Sequence, residues 1–454
     1  MDSFQDAQDY LYSFISYEQR SNWSYNDKTL NLDRFRDFLA HLGSPQNKLP
    51  IIHVAGSDGK GSVCAMLAAV LSQNGYRTGL YQSPHLQHLS ERIQVDGQPI
   101  QEADFVRWTR HLKQAVEQFE HPTQGFATFF ELVTAMAYLY FSQRQTDYAV
   151  IETGLGGRLD ATNCSQPVIT VITHISMEHS HLLGDTLEKI ADEKLGIIRP
   201  DAPVIVGPQE ESLLPHFKKR LAGHSAPVVY VDESYQVIGQ SRAETQRCLE
   251  IRDAVSSAPR CRKLSIRLLG HYQVHNCMTA LATLDCLMAA QKLSPLSEGE
   301  LQAGFAAVVW PGRFETLLEG KGPLRVLDVA HTVKGAKALR LSLDEQFPHR
   351  RRIFVTGFLR EKDPAGMIDA LVREQDSLIL TQAPTPRGLR IDEIQERFSN
   401  EPALRRLPAR IQANPEPQDA YHAALELASP DDVIVITGSV YLVGALRETV
   451  LQSA

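Results

Sequence analysis

Basic charge is scarce in this chain: 46 Lys and Arg stand against 54 Asp and Glu, a net charge of −8. That balance argues against a generic nucleic-acid binder, whose surface carries a basic excess, and leaves room only for locally basic pockets. Cysteine is sparse too. Cys64, Cys164, Cys248, Cys261, Cys277 and Cys286 form no C-x-x-C pair and no zinc spacing. This excludes a disulfide scaffold and reads as reduced, mostly buried thiols of a cytosolic protein. No apolar run approaches the ~20 residues of a membrane span, so no membrane partner is expected. The opening Met1-Asp2-Ser3-Phe4-Gln5-Asp6 is acidic and has no apolar core; no secretory signal is expected, and the cytoplasm is the expected location. Internal repeats and low-complexity segments are lacking as well. What is present is 454 residues, 43% hydrophobic and 22% charged, the balance of a globular protein with length for two or three domains.

The most informative stretch runs from Ile51-Ile52-His53-Val54-Ala55 into Gly56-Ser57-Asp58-Gly59-Lys60-Gly61-Ser62. A branched apolar run stops at a glycine-rich turn, and Val63, Met66, Leu67, Val70 and Leu71 then fall at helical spacing. Strand, glycine loop and helix together bind phosphate. Backbone N–H groups close on the oxygens, the helix N-terminus favours negative charge, and a lysine adds a point charge. A nucleoside triphosphate is the expected ligand. The spacing departs from G-x-x-x-x-G-K-[ST]: Val54 stands where the first glycine belongs, and Gly61 pushes Ser62 one residue on. An ordinary tight turn is the plain alternative.

Apolar runs at Thr78–Gln82, Tyr148–Thr153, Val168–His174 and Val204–Gly207, with helical patterns between several of them, predict a mostly parallel sheet. Residues 1–50 read as amphipathic helix, with Phe35, Phe38, Leu39 and Leu42 on one face. Residues 227–268 read as a small antiparallel excursion, and a helix is predicted at about 271–291. Beyond Trp310-Pro311-Gly312-Arg313, strands at Arg325–Ala330, Ile353–Gly357, Leu378–Thr381 and Val433–Thr437 alternate with helices at Thr332–Phe347, Pro364–Glu374 and Asp419–Ala428. The expected organisation is α/β throughout, with domains at 1–309 and 310–454.

Several loops at strand ends carry chemistry. Glu152-Thr153-Gly154-Leu155-Gly156-Gly157-Arg158-Leu159-Asp160-Ala161-Thr162-Asn163 follows the run Tyr148–Ile151. A carboxylate there is placed to hold Mg²⁺ beside a phosphate site. A dinucleotide turn is disfavoured, because the spacing is not G-x-G-x-x-G and no acidic residue ends a strand about 20 residues on; a purely structural glycine turn is the other alternative. His174-Ile175-Ser176-Met177-Glu178-His179-Ser180-His181 invites a zinc reading, but fits no zinc spacing and has no cysteine partner. Its place after a strand favours a share in a metal–phosphate site over an exposed polar cluster. Ser83-Pro84-His85-Leu86 is a polar loop able to cover a ligand or to be plain surface. Lys194 sits in an amphipathic helix, where a solvated face is the ordinary role. Arg313, the pair Asp328 and His331, and Gly438-Ser439-Val440-Tyr441 occupy loops of the second half, as a two-domain transferase would need. Capping and turn chemistry explain each of them singly.

Taken together these motifs resemble the folylpolyglutamate synthase/dihydrofolate synthase family within the Mur-type ATP-dependent amide ligases. The matches run in order over nearly the whole chain. They are the glycine loop, Ser83–Leu86, Thr128-Phe129-Phe130-Glu131, Glu152–Asn163, Glu193-Lys194-Leu195-Gly196-Ile197, Gly270 to Asn276, Trp310-Pro311-Gly312-Arg313-Phe314-Glu315, Asp328-Val329-Ala330-His331, Lys362-Asp363 and Gly438–Leu442. The resemblance implies an N-terminal P-loop ATPase domain with a mostly parallel sheet and a C-terminal Rossmann-like domain, with the active site between them. It implies that Gly56, Ser57, Asp58, Gly59, Lys60, Gly61 and Ser62 cradle ATP, that Lys60 and Ser62 hold its phosphates and a first Mg²⁺ near Ser83 and Glu152, and that a second Mg²⁺ uses His179 and a lysine carbamate at Lys194. Asn276, Arg313, Asp328 and His331 would face the nucleotide, Ser439 and Tyr441 the incoming L-glutamate, and Asp160 and Ala161 the pterin. The implied reaction has a pteroate or folate carboxylate attack the γ-phosphate, after which glutamate's amine displaces phosphate from the acyl phosphate, with domain closure excluding water. A monomer is implied.

Five positions depart from the family's usual residues: Asp58 for asparagine, Tyr272 for histidine, Thr332 for asparagine, and Glu178 and Glu361 for aspartates. Asp58 weighs most. A carboxylate about 6 Å from a phosphate charge costs on the order of 3 kcal/mol at an effective dielectric of about 20. It must face solvent or a cation, or weaken ATP binding. Related ligases acting on another acid, and a nucleotide-binding regulator that has lost ligation, are the rival readings; the intact Lys60, Glu152, His179, Lys194 and Arg313 argue against the second. Which reaction is run, dihydrofolate synthesis, polyglutamylation or both, is not fixed by the motifs.

Overall fold

The computed structural model describes residues 1–17, 23–26, 29–119, 127–243, 245–254, 260–317, 322–399 and 411–453. Two compact units emerge: Met1–Gln240 with Cys248–Ser265 and Val274–Val308, and Ser241–Arg247 with Ile266–Gln273 and Val309–Ala454.

The first unit is built on eight strands: β1 (Ile51–Ala55), β2 (Thr78–Tyr81), β3 (Ile93–Val95), β4 (Gln98–Pro99), β5 (Tyr148–Glu152), β6 (Pro167–Ile172), β7 (Val204–Val206) and β8 (Val228–Tyr230). Their order is β4-β3-β2-β5-β1-β6-β7-β8. β3 runs antiparallel to β2 and β4, and the remaining pairs are parallel. β1 and β5 are buried at every residue, the condition under which a strand reads as an unbroken apolar run. In-register pairing of Val54 with both Glu152 and Val171 brings the C-terminal ends of β1, β5 and β6 to one edge, where open α/β sheets bind ligands.

The helices Lys60–Gln73 and Phe129–Arg144 are apolar on nearly all faces because both are sealed in the core. The second starts at a capping box. Thr128 Oγ1 accepts from Glu131 N at 3.2 Å, and Glu131 Oε2 accepts from Thr128 N at 2.6 Å. Glu131 also holds the Arg34 guanidinium at 2.8 Å, with both side chains buried. Arg34 lies on the helix Leu32–His41, whose Phe35, Phe38 and Leu39 enter the same core.

The excursion expected over 227–268 resolves into two parts. β8 closes the edge of the main sheet, and β9 (Tyr235–Arg242), β10 (Arg247–Asp253) and β11 (Arg260–Ile266) form a separate three-stranded sheet. The helix Gln273–Ala289 follows.

In the second unit, β12 (Glu315–Leu317), β13 (Leu324–Leu327), β14 (Arg352–Thr356), β15 (Ser377–Leu380), β16 (Ile411–Ala413) and β17 (Val433–Thr437) are arranged β12-β13-β17-β14-β15-β16. Only β12 is antiparallel to its neighbour. Its core gathers Leu269, Phe314, Leu339, Phe354, Phe358, Met367 and Val435.

Candidate active site

The loop between β1 and its helix has the shape that phosphate requires. Gly59 has φ +89° and is the N-cap, a left-handed conformation that costs glycine nothing. A Cβ there would also collide with the Asn276 side chain, so Asn276 lies directly against the loop. The helix begins at Lys60 with no acidic residue in its first turn. Its first N–H groups lack intrahelical partners by geometry and face the loop's concavity. Lys60 Nζ donates to Ser57 O at 3.3 Å, which folds the ammonium back over the loop. Ser62 is buried on the first turn. Ser57 N and Asp58 N donate to His174 O at 2.9 and 3.1 Å, which fastens the loop to the segment after β6. Asp58 itself is exposed, and its negative charge acts on Lys194.

Glu152 closes β5, buried, with Oε2 accepting from Ser83 N at 3.3 Å. The structure thus joins two residues expected at the first cation. Lys194 is buried at the end of its helix, with Nζ donating to Gly56 O at 2.8 Å. Burial, followed by the charge of Lys60, pushes its ammonium down to about 7, against the opposing pull of Glu178, Asp58 and Asp160. A solvated helix face is therefore not its role. His179 has φ +50° and caps the short helix Ser180–Leu183. Its Nε2 lies 3.7 Å from Glu178 Oε1. Among the described residues no group of three or more His, Cys, Asp or Glu side chains is arranged to hold a metal.

The Glu152–Asn163 loop is held from within. Asp160 Oδ2 accepts from Gly154 N and Leu155 N, both at 2.9 Å. Its Oδ1 accepts from Thr162 N at 3.0 Å and Thr162 Oγ1 at 2.5 Å. Burial raises the Asp160 carboxyl and these four donors oppose the rise. With four donors on its two oxygens, Asp160 fixes the shape of the loop, and the neighbouring Ala161 is buried. Three further residues, to which the sequence assigned no site role, hold this loop from outside. The Phe130 ring lies where a Cβ on Gly154 would meet it. Tyr25 Oη accepts from Leu159 N at 3.3 Å, and Arg199 donates to Asn163 O and Oδ1 at 2.7 Å. Only Phe130 had a sequence cue, its place in the Thr128–Glu131 motif.

The second unit gathers its own cluster at the C-terminal ends of β13, β14 and β17. Three helix N-termini meet there, capped by Thr332, Asp363 and Ser439 through Gly335 N, Gly366 N and Leu442 N. Asp328, just past β13, is buried. It accepts from Phe314 N at 2.8 Å, Ala330 N at 2.9 Å and Tyr272 Oη at 3.0 Å. Burial raises its carboxyl and the Arg313 charge counters it. Tyr272 thus takes the donor position against Asp328, and Thr332 serves as a cap. His331 Nδ1 lies 3.0 Å from Val329 O; a carbonyl only accepts, so that nitrogen carries the proton. Glu361 pairs with Arg387. Ser439 is fully buried and Tyr441 half-buried.

A strand, glycine loop and helix in the first unit and a helix-N-terminus cluster in the second point to a class. Residues 54–284 match the Mur ligase middle domain and residues 312–440 the Mur ligase glutamate ligase domain. The chain is 33% identical to a Mycobacterium tuberculosis dihydrofolate synthase/folylpolyglutamate synthase, over 92% of this chain and 89% of that one. Its fold is similar to M. tuberculosis folylpolyglutamate synthase complexed with ADP, with a TM-score of 0.84 and 31% identity over 98% of both chains. It is similar also to an FPGS–AMPPCP–folate complex, with a TM-score of 0.80 and 30% identity over 99% of this chain and all of that one. The chain belongs to the folylpolyglutamate synthase/dihydrofolate synthase family, and it is an ATP-dependent ligase.

Proposed function

We propose that the protein joins L-glutamate to the carboxylate of a pteroate or folate at the expense of ATP. The observation that carries this reading is the β1 loop, with Gly59 left-handed, Lys60 folded over it, and Glu152 at the neighbouring strand end beside Ser83. Family membership and the relatives' nucleotide and folate complexes support it.

The loop N–H groups and Lys60 bind the triphosphate and neutralise the charge that builds on the transferred phosphoryl group. The acceptor carboxylate attacks the γ-phosphorus, ADP leaves, and an acyl phosphate remains. Glutamate's amine then attacks the acyl carbon, loses a proton, and phosphate departs. Ser62, Ser83 and Glu152 offer the hard oxygen donors that suit Mg²⁺, which would supply further charge neutralisation at the phosphates. The Lys194 amine, with its ammonium lowered to about 7 by burial, is about half neutral near pH 7 and can add CO₂ and release a proton, giving a carbamate; His179 completes that side. Asn276, Arg313, Asp328 and His331 serve the nucleotide, Ser439 and Tyr441 the glutamate, and the Asp160–Ala161 turn the pterin. Six free cysteines support a reducing, cytoplasmic setting.

Sustained, multiple-turnover ADP release is expected only when ATP, glutamate and an acceptor are all present, with dihydropteroate and tetrahydrofolate tested separately and products identified by mass. No product from either would turn the reading to a different acid. Lys60→Ala is expected to lower kcat/KM by roughly 10²–10³-fold, the effect of losing one transition-state donor. With ¹³C-bicarbonate, a carbamate carbonyl signal should appear in the wild type and be missing in Lys194→Ala; its absence from both would remove the carbamate.

A further inference from the structure

β1 is apolar at every residue but one. His53 is fully buried, in register with Ile151 of β5 and Thr170 of β6. Its Nε2 lies 2.8 Å from Thr162 Oγ1, 109 residues further along the chain. The direction of that bond follows from its neighbours. Asp160 receives four donors, two on each oxygen, which leaves it ionised and able only to accept. The single hydroxyl proton of Thr162 therefore points at Asp160 Oδ1, and the Thr162 oxygen accepts from His53. His53 is thus the Nε2–H tautomer, and its Nδ1, with no hydrogen-bond partner among the described residues, is a bare lone pair. Tyr138 Oη and Ser165 Oγ hold Thr162 O at 3.1 and 2.9 Å, so the threonine has little freedom to turn elsewhere.

We propose that His53 is a positioning residue for the acceptor: through Thr162 and Asp160 it fixes the Gly154–Leu155 turn against which the acceptor's ring system is held. This rests on the functional reading above. The relay links the strand that leads into the phosphate loop to the loop that receives the acid, so one imidazole sets the acceptor face relative to the triphosphate. The loop geometry belongs to the acceptor face and not to the nucleotide loop. Loss of the His53 donor therefore acts on one substrate.

Steady-state kinetics with ATP, glutamate and the better acceptor of dihydropteroate and tetrahydrofolate test this. His53→Leu is expected to raise the acceptor KM about tenfold or more and to leave the ATP KM within about twofold. His53→Gln, whose amide N–H reaches the same position, should restore the acceptor KM to within about threefold. Thr162→Ser should behave as wild type, and Thr162→Val as His53→Leu, with the double variant no worse than either single one. ¹⁵N NMR of the wild-type protein should show His53 protonated at Nε2 alone. An unchanged acceptor KM in a folded His53→Leu, a parallel rise in the ATP KM, or a proton on Nδ1 would overturn the proposal. Should His53→Leu fail to fold, the Thr162 pair and the tautomer decide. A wild type that turns over neither acceptor refutes the functional reading, and the proposal with it; a wild type that turns over while the variants keep their acceptor KM refutes the proposal alone.

Discussion

Asp58 brings a negative charge into a loop built for anions. Its exposure and its pull on Lys194 account for how the loop tolerates it: water and a lysine screen the carboxylate. Asp58→Asn is therefore expected to change ATP affinity by less than about threefold in calorimetric titration, and tightening by tenfold or more, about 1.4 kcal/mol, would mean the charge opposes the phosphates. His53 sets a pH dependence. Burial, with the Arg199 charge as a second cause, pushes its imidazole down to about 3. Between that value and the ordinary 6.5 the unfolded chain takes up a proton that the folded one refuses. Stability from this residue is thus full above pH 6.5 and is lost as pH falls toward 3, on the order of 5 kcal/mol across the window. In a series of denaturant melts, His53→Gln should flatten that acid limb. An unaltered limb would assign it to other groups.

At the scale of elements, the helix Phe129–Arg144 concentrates stability at its first turn. Thr128→Ala removes one half of the capping box and should cost about 1 kcal/mol. Glu131→Gln takes away the buried partner of Arg34 as well and should cost roughly 3–5 kcal/mol. Equal effects in urea melts would show that the ion pair adds nothing to the cap. The buried strands were legible in the sequence because their apolar residues leave few alternatives, whereas of this helix only the Thr128–Glu131 motif at its start was singled out. Strand ends were less legible. The runs Val168–His174 and Arg325–Ala330 were read as strands to their last residue, yet the strands end at Ile172 and Leu327. Val329 and Ala330 are buried in the turn itself, so hydrophobicity there reports enclosure and not strand pairing. The His53–Thr162–Asp160 relay was invisible for another reason: its members are 109 and 2 residues apart, and no local spacing encodes that contact. The one cue was a histidine inside an otherwise apolar strand.

For the molecule as a whole, the chain contributes to its second unit before that unit's main stretch begins. Leu269 lies in its core, Tyr272 holds Asp328, and the fully buried Arg247 donates to Leu269 O at 2.8 Å. A fragment of residues 309–454 lacks all three. It is expected to give poorly dispersed NMR spectra and no cooperative melt, whereas a native-like melt would show these contributions to be dispensable. Order of synthesis adds a constraint. β17 lies between β13 and β14, though it is the last strand in sequence among the described residues. While the ribosome still holds residues 433–437, β13 and β14 have only their outer neighbours β12 and β15, and the two facing apolar edges stand open. Translation must therefore pass residue 437 before this half can close, so a message stalled or cut short of it yields a species with an adhesive flank, a natural client for chaperones and a natural target for proteases.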